Sequence, residues 1–316
     1  MFNKDYRPTL AQLRTFVTVA ENRHFGIAAA KLGISQPSLS QALVSLETGL
    51  GVQLIERSTR KVLVTPTGLE LLPLAKATLD AADAFLARSK GVQGTLTGSL
   101  TLGIIPTIAP YLLPDLLKLV HADYPELELS IVEDQTRHLE NMLRDGQIDM
   151  ALMAVPSELP GMREIPLYYE DFVVVVPEGH NLAGRYDLDL ECLEDLDLLL
   201  LDDGHCLHDQ IVELCRQANI KPSDAAHAIT RASSLTTVMQ LVVGHMGSTL
   251  VPVSAVAAEC QRPGLATATF DDNVTARRRV GLVYRHSSAR EEEFMAFGAM
   301  ITRAFNSVAR QSRALL

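Results

Sequence analysis

The sequence predicts an α/β protein with a helical, basic head at its N-terminus. Beyond residue 99, segments typical of strands and of helices alternate along the chain. Before residue 66, short helical segments surround a glycine turn. Residues 1–90 carry eleven Lys and Arg against seven Asp and Glu, whereas the remainder carries seventeen against thirty-one. A basic head on an acidic body lets one end of the molecule approach phosphates.

The composition sets the broad class. At 316 residues the chain is long enough for two or three domains. It contains no apolar run of eighteen residues, and its first ten residues are polar where a signal peptide needs an apolar core. We therefore expect a cytoplasmic protein without a membrane partner. In that compartment thiols stay reduced, so a paired oxidation would be transient or sensory. The cysteines are Cys192, Cys206, Cys215 and Cys260.

Residues 1–66 have the pattern of a winged helix-turn-helix. Thr9 can cap a first helix, a second helix near residues 26–32 ends at Gly33, and a third begins at Ser35. A hairpin at residues 53–64 follows as the wing. A helical bundle that merely contains such a turn is the alternative. The candidate DNA contacts lie on the third helix and the wing: Gln36, Pro37, Ser38, Ser40, Gln41, Arg57 and Arg60.

A long helix is predicted at residues 67–90, with a kink at Pro73. Its apolar stripe extends beyond the small head, which favours a dimer contact over packing against the head itself. The stripe consists of Leu69, Leu72, Leu79, Ala82 and Leu86. Residues 91–98 are rich in Gly, Ser and Thr and indicate a hinge.

Residues 99–316 alternate between the two kinds of element. Strands are predicted at 100–105, 127–133, 150–153, 172–176, 196–201, 248–251 and 279–284. Helices are predicted at 110–121, 136–144, 207–217, 235–243 and 291–310.

Cys215 lies within the predicted helix 207–217, and Cys206 lies nine positions earlier, directly before the helix begins. At about 1.5 Å and about 100° per residue, their thiols would be about 13 Å apart along the axis and on opposite faces. A disulfide needs Cα atoms within roughly 7 Å. Joining these cysteines would therefore require the segment to unwind, so their oxidation would be a conformational switch.

Three segments resemble the LysR-type transcriptional regulators: residues 29–41 (AAKLGISQPSLSQ), 50–57 (LGVQLIER) and 65–68 (TPTG). The resemblance covers the whole chain. It implies a winged helix-turn-helix at 1–66, a dimerising linker helix at 67–90, a hinge at 91–98 and a regulatory domain at 99–316. That domain would resemble a two-lobed periplasmic binding protein, with lobe I at about 99–171 and 271–316 and lobe II at about 172–270.

Further segments resemble the peroxide-sensing OxyR branch of that family: 103–107 (GIIPT), 110–114 (PYLLP), 133–136 (EDQT), 201–206 (LDDGHC), Cys215 and 281–285 (GLVYR). The resemblance implies that Cys206 reacts with hydrogen peroxide and that Cys215 resolves the product into a disulfide. The rearranged domain would then change how a tetramer sits on promoter DNA of antioxidant genes. RNA polymerase and a thioredoxin- or glutaredoxin-type reductant are further implied partners.

Four residues are candidates for the peroxide site around Cys206. The helix N-terminus should lower the pKa of Cys206, while two preceding aspartates should raise it. A basic residue at the spacing that the family shows would add positive charge, and two hydroxyls at strand ends could position peroxide. These candidates are Thr107, Thr136, His205 and Arg278.

Several alternatives remain open on the sequence. Without the family resemblance, Cys206 would more often be a buried core residue. A zinc or copper site at His205, Cys206, His208 and Cys215 would converge awkwardly across one helix. A small organic anion could be the trigger instead of peroxide, and a thiol peroxidase would be the enzymatic rival. We expect a regulator, not an enzyme, with no cofactor and no metal.

Overall fold

A computed structural model describes residues 6–57, 62–89, 96–157, 159–220 and 232–316. The chain forms two compact units. The first contains Met1–Thr95 together with Asn141–Asp149 and Arg285–Glu293, and the second contains the remaining segments. Within the described ranges, no helix combines the length and apolar character needed to cross a lipid bilayer.

Three short helices build the head, as the sequence predicts: α1 (Leu10–Asn22), α2 (Phe25–Lys31) and α3 (Gln36–Leu50). Thr9 caps α1 in a capping box with Gln12. Gly33 takes a positive φ of 64° in the turn between α2 and α3, a conformation that other residues adopt at a cost. Ser35 caps α3, with proline in the first turn. The caps and the glycine thus define the helix-turn-helix locally.

The wing is a hairpin of β1 (Ile55–Arg57) and β2 (Val62–Val64), paired antiparallel. Glu47 of α3 holds its base, because Oε1 accepts hydrogen bonds from the amides of Leu54 at 2.9 Å and Ile55 at 3.0 Å. Both amide-bearing residues are buried. The carboxylate therefore joins the recognition helix to the wing.

Helix α4 (Pro66–Ser89) runs on through Pro73. Leu72 and Leu79 belong to the head's own buried core, whereas Leu69 is exposed. The apolar stripe that was predicted as a dimer contact is therefore only partly exposed, because Leu72 and Leu79 pack within the head. The side chain of Leu86 lies outside the described residues.

The second unit contains a seven-stranded mixed sheet with the path β4-β3-β5-β9-β6-β7, and β8 pairs with β6. Strands β4 and β5 run parallel to β3, and β9 runs antiparallel to β5. The strands are β3 (Gly98–Ile104), β4 (Leu127–Glu133), β5 (Met150–Ala154), β6 (Met162–Pro177), β7 (Thr249–Pro252), β8 (Leu265–Thr269) and β9 (Arg277–Arg285).

The helices of this part agree with the predicted ones. They are α5 (Ala109–Asp123), α6 (Thr136–Arg144), α7 (Cys206–Gln217), α8 (Leu235–Val243), α9 (Val256–Glu259) and α10 (Glu291–Arg313). The α/β class is confirmed. The short α9 was not predicted.

The strand predicted at 196–201 is wrong. That segment is buried but makes only isolated bridges, through Leu198 and Leu201. Strand β8 and the first half of β6 were not predicted, because β8 contains only Leu, Ala and Thr, and charged residues interrupt β6. Burial and strand pairing are separate properties, and an apolar run signals only burial.

Replacing Glu47 by Ala should loosen the wing, because two buried amides lose their acceptor. Losing such bonds costs about 1–3 kcal/mol, so hydrogen exchange at residues 54 and 55 should become roughly tenfold to hundredfold faster. Glu70→Ala, at an exposed position of α4, is the control. Equal protection of these amides in the two variants would contradict the role of Glu47.

Candidate functional site

A buried ion pair organises the site. Arg278 of β9 donates from Nε to Glu170 Oε2 of β6 at 2.8 Å, and its Nη2 lies 2.7 Å from the same oxygen. The two side chains are 0% and 1% exposed. The other carboxylate oxygen accepts from the amide of Ser254 at 3.1 Å. A buried charge pair persists only when its remaining hydrogen-bonding positions are also satisfied, and here they are.

Arg278 also reaches the loop between β3 and α5. Its Nη1 donates to the hydroxyl of Thr107 at 2.8 Å and its Nη2 donates to the carbonyl of Thr107 at 3.0 Å. Thr107 is buried. The Arg278 guanidinium thus holds this loop in place. Because Thr107 Oγ1 accepts from Arg278, the hydroxyl proton of Thr107 can be donated to another group.

Cys206 lies beside this arrangement. It is the first residue of α7, with His205 at the N-cap position, and it is partly buried. Arg278 and the hydroxyls of Thr136 and Thr107 are all close enough to influence the Cys206 thiol. The structure therefore brings together four residues named from the sequence that are far apart along the chain.

Burial raises the pKa of Cys206 above its ordinary value, and it outweighs the opposing effects of Arg278, Thr136 and Thr107. Asp209 adds to the increase. The sequence indicated opposing effects on this pKa, and in the structure desolvation of the thiolate is the largest effect, so the pKa is raised. Burial therefore favours the protonated thiol, and Arg278, Thr136 and Thr107 favour the thiolate.

Thr136 is the first residue of α6, and its buried Oγ1 has no hydrogen-bond partner among the described residues. A buried hydroxyl without a partner is costly. The same hydroxyl can donate to the Cys206 thiolate and thereby lowers the pKa of that thiol. Thr136 is thus arranged for the charged form of the cysteine.

His205 is buried, and burial lowers its pKa. Its Nε2 lies 3.3 Å from Nε2 of Gln135, and its Nδ1 has no partner within the described ranges. The ring is therefore neutral and has one free polar atom beside the reactive segment.

Cys215 lies on the same helix, is buried, and has its pKa raised by that burial. Because α7 runs without a break from Cys206 to Gln217, the separation expected from the nine-residue spacing applies to the folded protein. The pKa values of Cys192 and Cys260 are raised to about 12, chiefly by burial. Arg185 opposes this increase at Cys192 and Arg262 opposes it at Cys260, but burial outweighs both arginines.

Sequence reasoning missed Glu170 and Gln135, and it did not single out Gln210 on the helix that carries Cys206. Glu170 neutralises Arg278, but nothing near it along the chain marks its partner 108 positions away. Gln210 follows Cys206 by four residues, one helical turn, and its buried Oε1 has no partner among the described residues. The i, i+4 spacing would have placed Gln210 on the face of α7 that carries Cys206.

Five of the seven predicted DNA-contact residues lie on α3. Gln36, Pro37, Ser38 and Gln41 are exposed and Ser40 is partly buried, while the intervening Leu39 and Leu43 are fully buried. The helix therefore presents a polar outer face. Arg60 lies outside the described residues, and for Arg57 only the backbone is described.

Among the described residues, no three or more His, Cys, Asp or Glu side chains are grouped so that they could hold a metal ion. His205, Cys206, His208 and Cys215 are all described, so they do not form such a group.

Two family descriptions match the chain. Residues 10–69 match the bacterial regulatory helix-turn-helix protein of the lysR family, and residues 93–306 match the LysR substrate binding domain. The chain belongs to the LysR family of helix-turn-helix regulators.

Within that family, several relatives are named as hydrogen peroxide-inducible genes activators. A probable hydrogen peroxide-inducible genes activator of Mycobacterium avium is 48% identical over 307 residues, 97% of each chain. The DNA-binding transcriptional dual regulator OxyR of Escherichia coli K12 is 36% identical over 279 residues, covering 88% of this chain and 90% of the relative.

Solved structures of OxyR proteins are also similar to this chain. The oxidized form of Corynebacterium glutamicum OxyR is 67% identical, with a TM-score of 0.64 over 100% of this chain and 97% of that one. A C206S mutant of the same protein with hydrogen peroxide bound is 67% identical, with a TM-score of 0.71 over 99% and 97% of the two chains.

Replacing Glu170 by Ala should destabilise the protein by about 3–5 kcal/mol, because it leaves the Arg278 charge buried without its partner. Asp171→Ala is the matched control on the next residue of β6. Its pair with Arg313 is more than half exposed on both sides, so its loss should cost less than about 1 kcal/mol. Equilibrium urea unfolding measures both, and similar costs would argue against the buried pair.

Reaction of Cys206 with an alkylating agent should accelerate as pH rises through the raised pKa of the thiol. Thr136→Val removes a hydroxyl that lowers this pKa, so its pH–rate curve should move to higher pH, while Thr136→Ser should keep the original curve. Because this hydroxyl has no other partner among the described residues, Thr136→Val should not lower stability. Mass spectrometry of the Cys206 peptide gives the rates, and superimposable curves would exclude this role.

Proposed function

We propose that this protein is a transcription regulator that senses hydrogen peroxide through Cys206 and Cys215. The observation that carries the proposal is the placement of the Cys206 thiol against a buried arginine and two threonine hydroxyls. The name of the M. avium relative and the peroxide-bound structure of the C. glutamicum protein support peroxide as the signal.

The first step is oxidation of Cys206. Its sulfur, as the thiolate, attacks one oxygen of hydrogen peroxide, the O–O bond breaks, and the departing hydroxide takes a proton to become water. Sulfur is oxidised by two electrons to a sulfenic acid. Arg278, Thr107 and Thr136 stabilise negative charge, first on sulfur and then on the leaving oxygen. We propose that His205 borders the same site.

The second step joins the two cysteines. Sulfur of Cys215 attacks the sulfenic sulfur, the S–S bond forms, and the oxygen leaves as water with the proton of the Cys215 thiol. Since the intact α7 keeps the thiols about 13 Å apart along its axis, the helix must unwind before this step. The disulfide thus holds the protein in a changed conformation after it has reacted with peroxide. An external dithiol reductant of thioredoxin or glutaredoxin type would reverse it.

The readout is DNA binding. We propose a head at residues 1–66, a linker at 67–90, a hinge at 91–98 and a regulatory domain at 99–316, with the lobes bounded as the resemblance implies. The exposed face of α3 with Gln36, Ser38 and Gln41 would contact promoter DNA. Arg57 and Arg60 would hold phosphates. A homo-oligomer, as a dimer of dimers, would carry two pairs of heads and contact RNA polymerase.

An intramolecular Cys206–Cys215 disulfide should form when the protein meets peroxide at low micromolar concentration. Thiol mapping by mass spectrometry, with DNA footprinting of the same samples, measures both events. In Cys206→Ser, neither the disulfide nor the change in footprint should appear. In Cys215→Ser, oxidation should stop at the sulfenic acid. Cys192→Ser is the control and should respond as the parent does.

Other outcomes would identify the rival functions. An unchanged transcriptional response in Cys206→Ala would favour a small-molecule effector. Sustained peroxide consumption far above one equivalent per chain, with excess reductant, would favour a thiol peroxidase. A Cys206 that stays unmodified under peroxide would reject the proposal.

A further inference from the structure

Gln135 occupies a position in the site that the proposed chemistry leaves unused. It directly precedes Thr136, and its side chain reaches the residues that directly precede Cys206. It therefore touches both segments that must meet for the thiol to face its hydroxyl partners.

The backbone of Gln135 is held firmly. Its carbonyl accepts the first hydrogen bonds of α6, from the amides of His138 at 3.0 Å and Leu139 at 3.1 Å. Its own amide donates to Asp134 Oδ1 at 2.7 Å. A backbone anchored in this way fixes the point from which the side chain extends, so positioning the side chain costs only its rotamer entropy.

The side chain contacts two consecutive residues of the Cys206 segment. As placed, its amide nitrogen donates to His205 Nε2 at 3.3 Å, so the neutral ring carries its proton on Nδ1. Its Oε1 packs against Gly204, where a Cβ would lie only 2.7 Å away. Gly204 also has a φ of +101°, so the turn is tight for two independent reasons.

We propose that Gln135 is a positioning residue that holds the start of α7 against the start of α6, and so keeps the Cys206 thiol aligned with Thr107, Thr136 and Arg278. The inference rests on the proposed peroxide reaction of Cys206. Gln135 does not touch the sulfur; it acts through His205 and the Gly204 turn.

Alignment affects different reactions to different degrees. Peroxide needs the thiol, its hydroxyl partners and the guanidinium in one arrangement, because these groups stabilise the leaving oxygen. Alkylation by iodoacetamide needs only an accessible thiolate. Loss of positioning should therefore lower the ratio of the peroxide rate constant to the iodoacetamide rate constant. A general loosening of the fold should lower stability and change both rates together.

The experiment uses the full-length chain with Cys215→Ser, so that oxidation stops at the sulfenic acid. Three variants are compared with this parent: Gln135→Leu, which loses the hydrogen bond; Gln135→Glu, which restores a hydrogen bond by accepting from His205 once the ring proton moves to Nε2; and Gln240→Leu, at an exposed position of α8. Second-order rate constants for Cys206 with hydrogen peroxide and with iodoacetamide, and the melting temperature, are measured for each.

For Gln135→Leu we expect the rate ratio to fall by about tenfold or more, with the melting temperature close to that of the parent. Gln135→Glu should keep a ratio near that of the parent, since the ratio cancels any change in thiolate fraction, and Gln240→Leu should match the parent. An unchanged ratio in Gln135→Leu, or equal losses in both rates with a lowered melting temperature, overturns the proposal. If the parent's Cys206 reacts with peroxide no faster than its Cys192, the peroxide function itself fails.

Discussion

The buried pair of Arg278 and Glu170 is the interaction on which the rest of the regulatory part depends. Two charges removed from water are tolerated only because the carboxylate also accepts the amide of Ser254 and the guanidinium also binds Thr107. The network thereby joins β9, β6 and the loop after β3. It also places the buried Arg278 guanidinium, paired with Glu170, near Cys206, where screening by solvent is weak.

Arg278 opposes the effect of burial on the pKa of the Cys206 thiol. Burial favours the protonated thiol of Cys206, while Arg278 and the two threonine hydroxyls favour the thiolate. A thiol of this kind reacts best with a small oxidant whose leaving oxygen can use the same donors. The intact α7 also holds the Cys215 thiol too far from Cys206 for a disulfide, so the helix must unwind before the two thiols can meet.

Local signals along the chain predicted the helices well and the strands less well. Thr9 and Ser35 were identified as caps because capping depends on neighbours within three residues. The wrong strand at 196–201 and the missed β8 reflect pairing with distant segments, which leaves no periodic trace nearby. In the site, Cys206 and its partners Thr107, Thr136 and Arg278 were named through family resemblance, and the structure places them together. Glu170 and Gln135 were not named, since their contacts span 108 and 70 positions.

The sequence by itself determined the α/β class, the helix-turn-helix head, and the demand that joining Cys206 to Cys215 must unwind a helix. These follow from periodicity, capping and spacing, which act over a few residues. Only the tertiary structure decided the protonation of the thiol and the division of the α4 stripe between core and surface. Both depend on burial, and burial is set by which distant segments pack together.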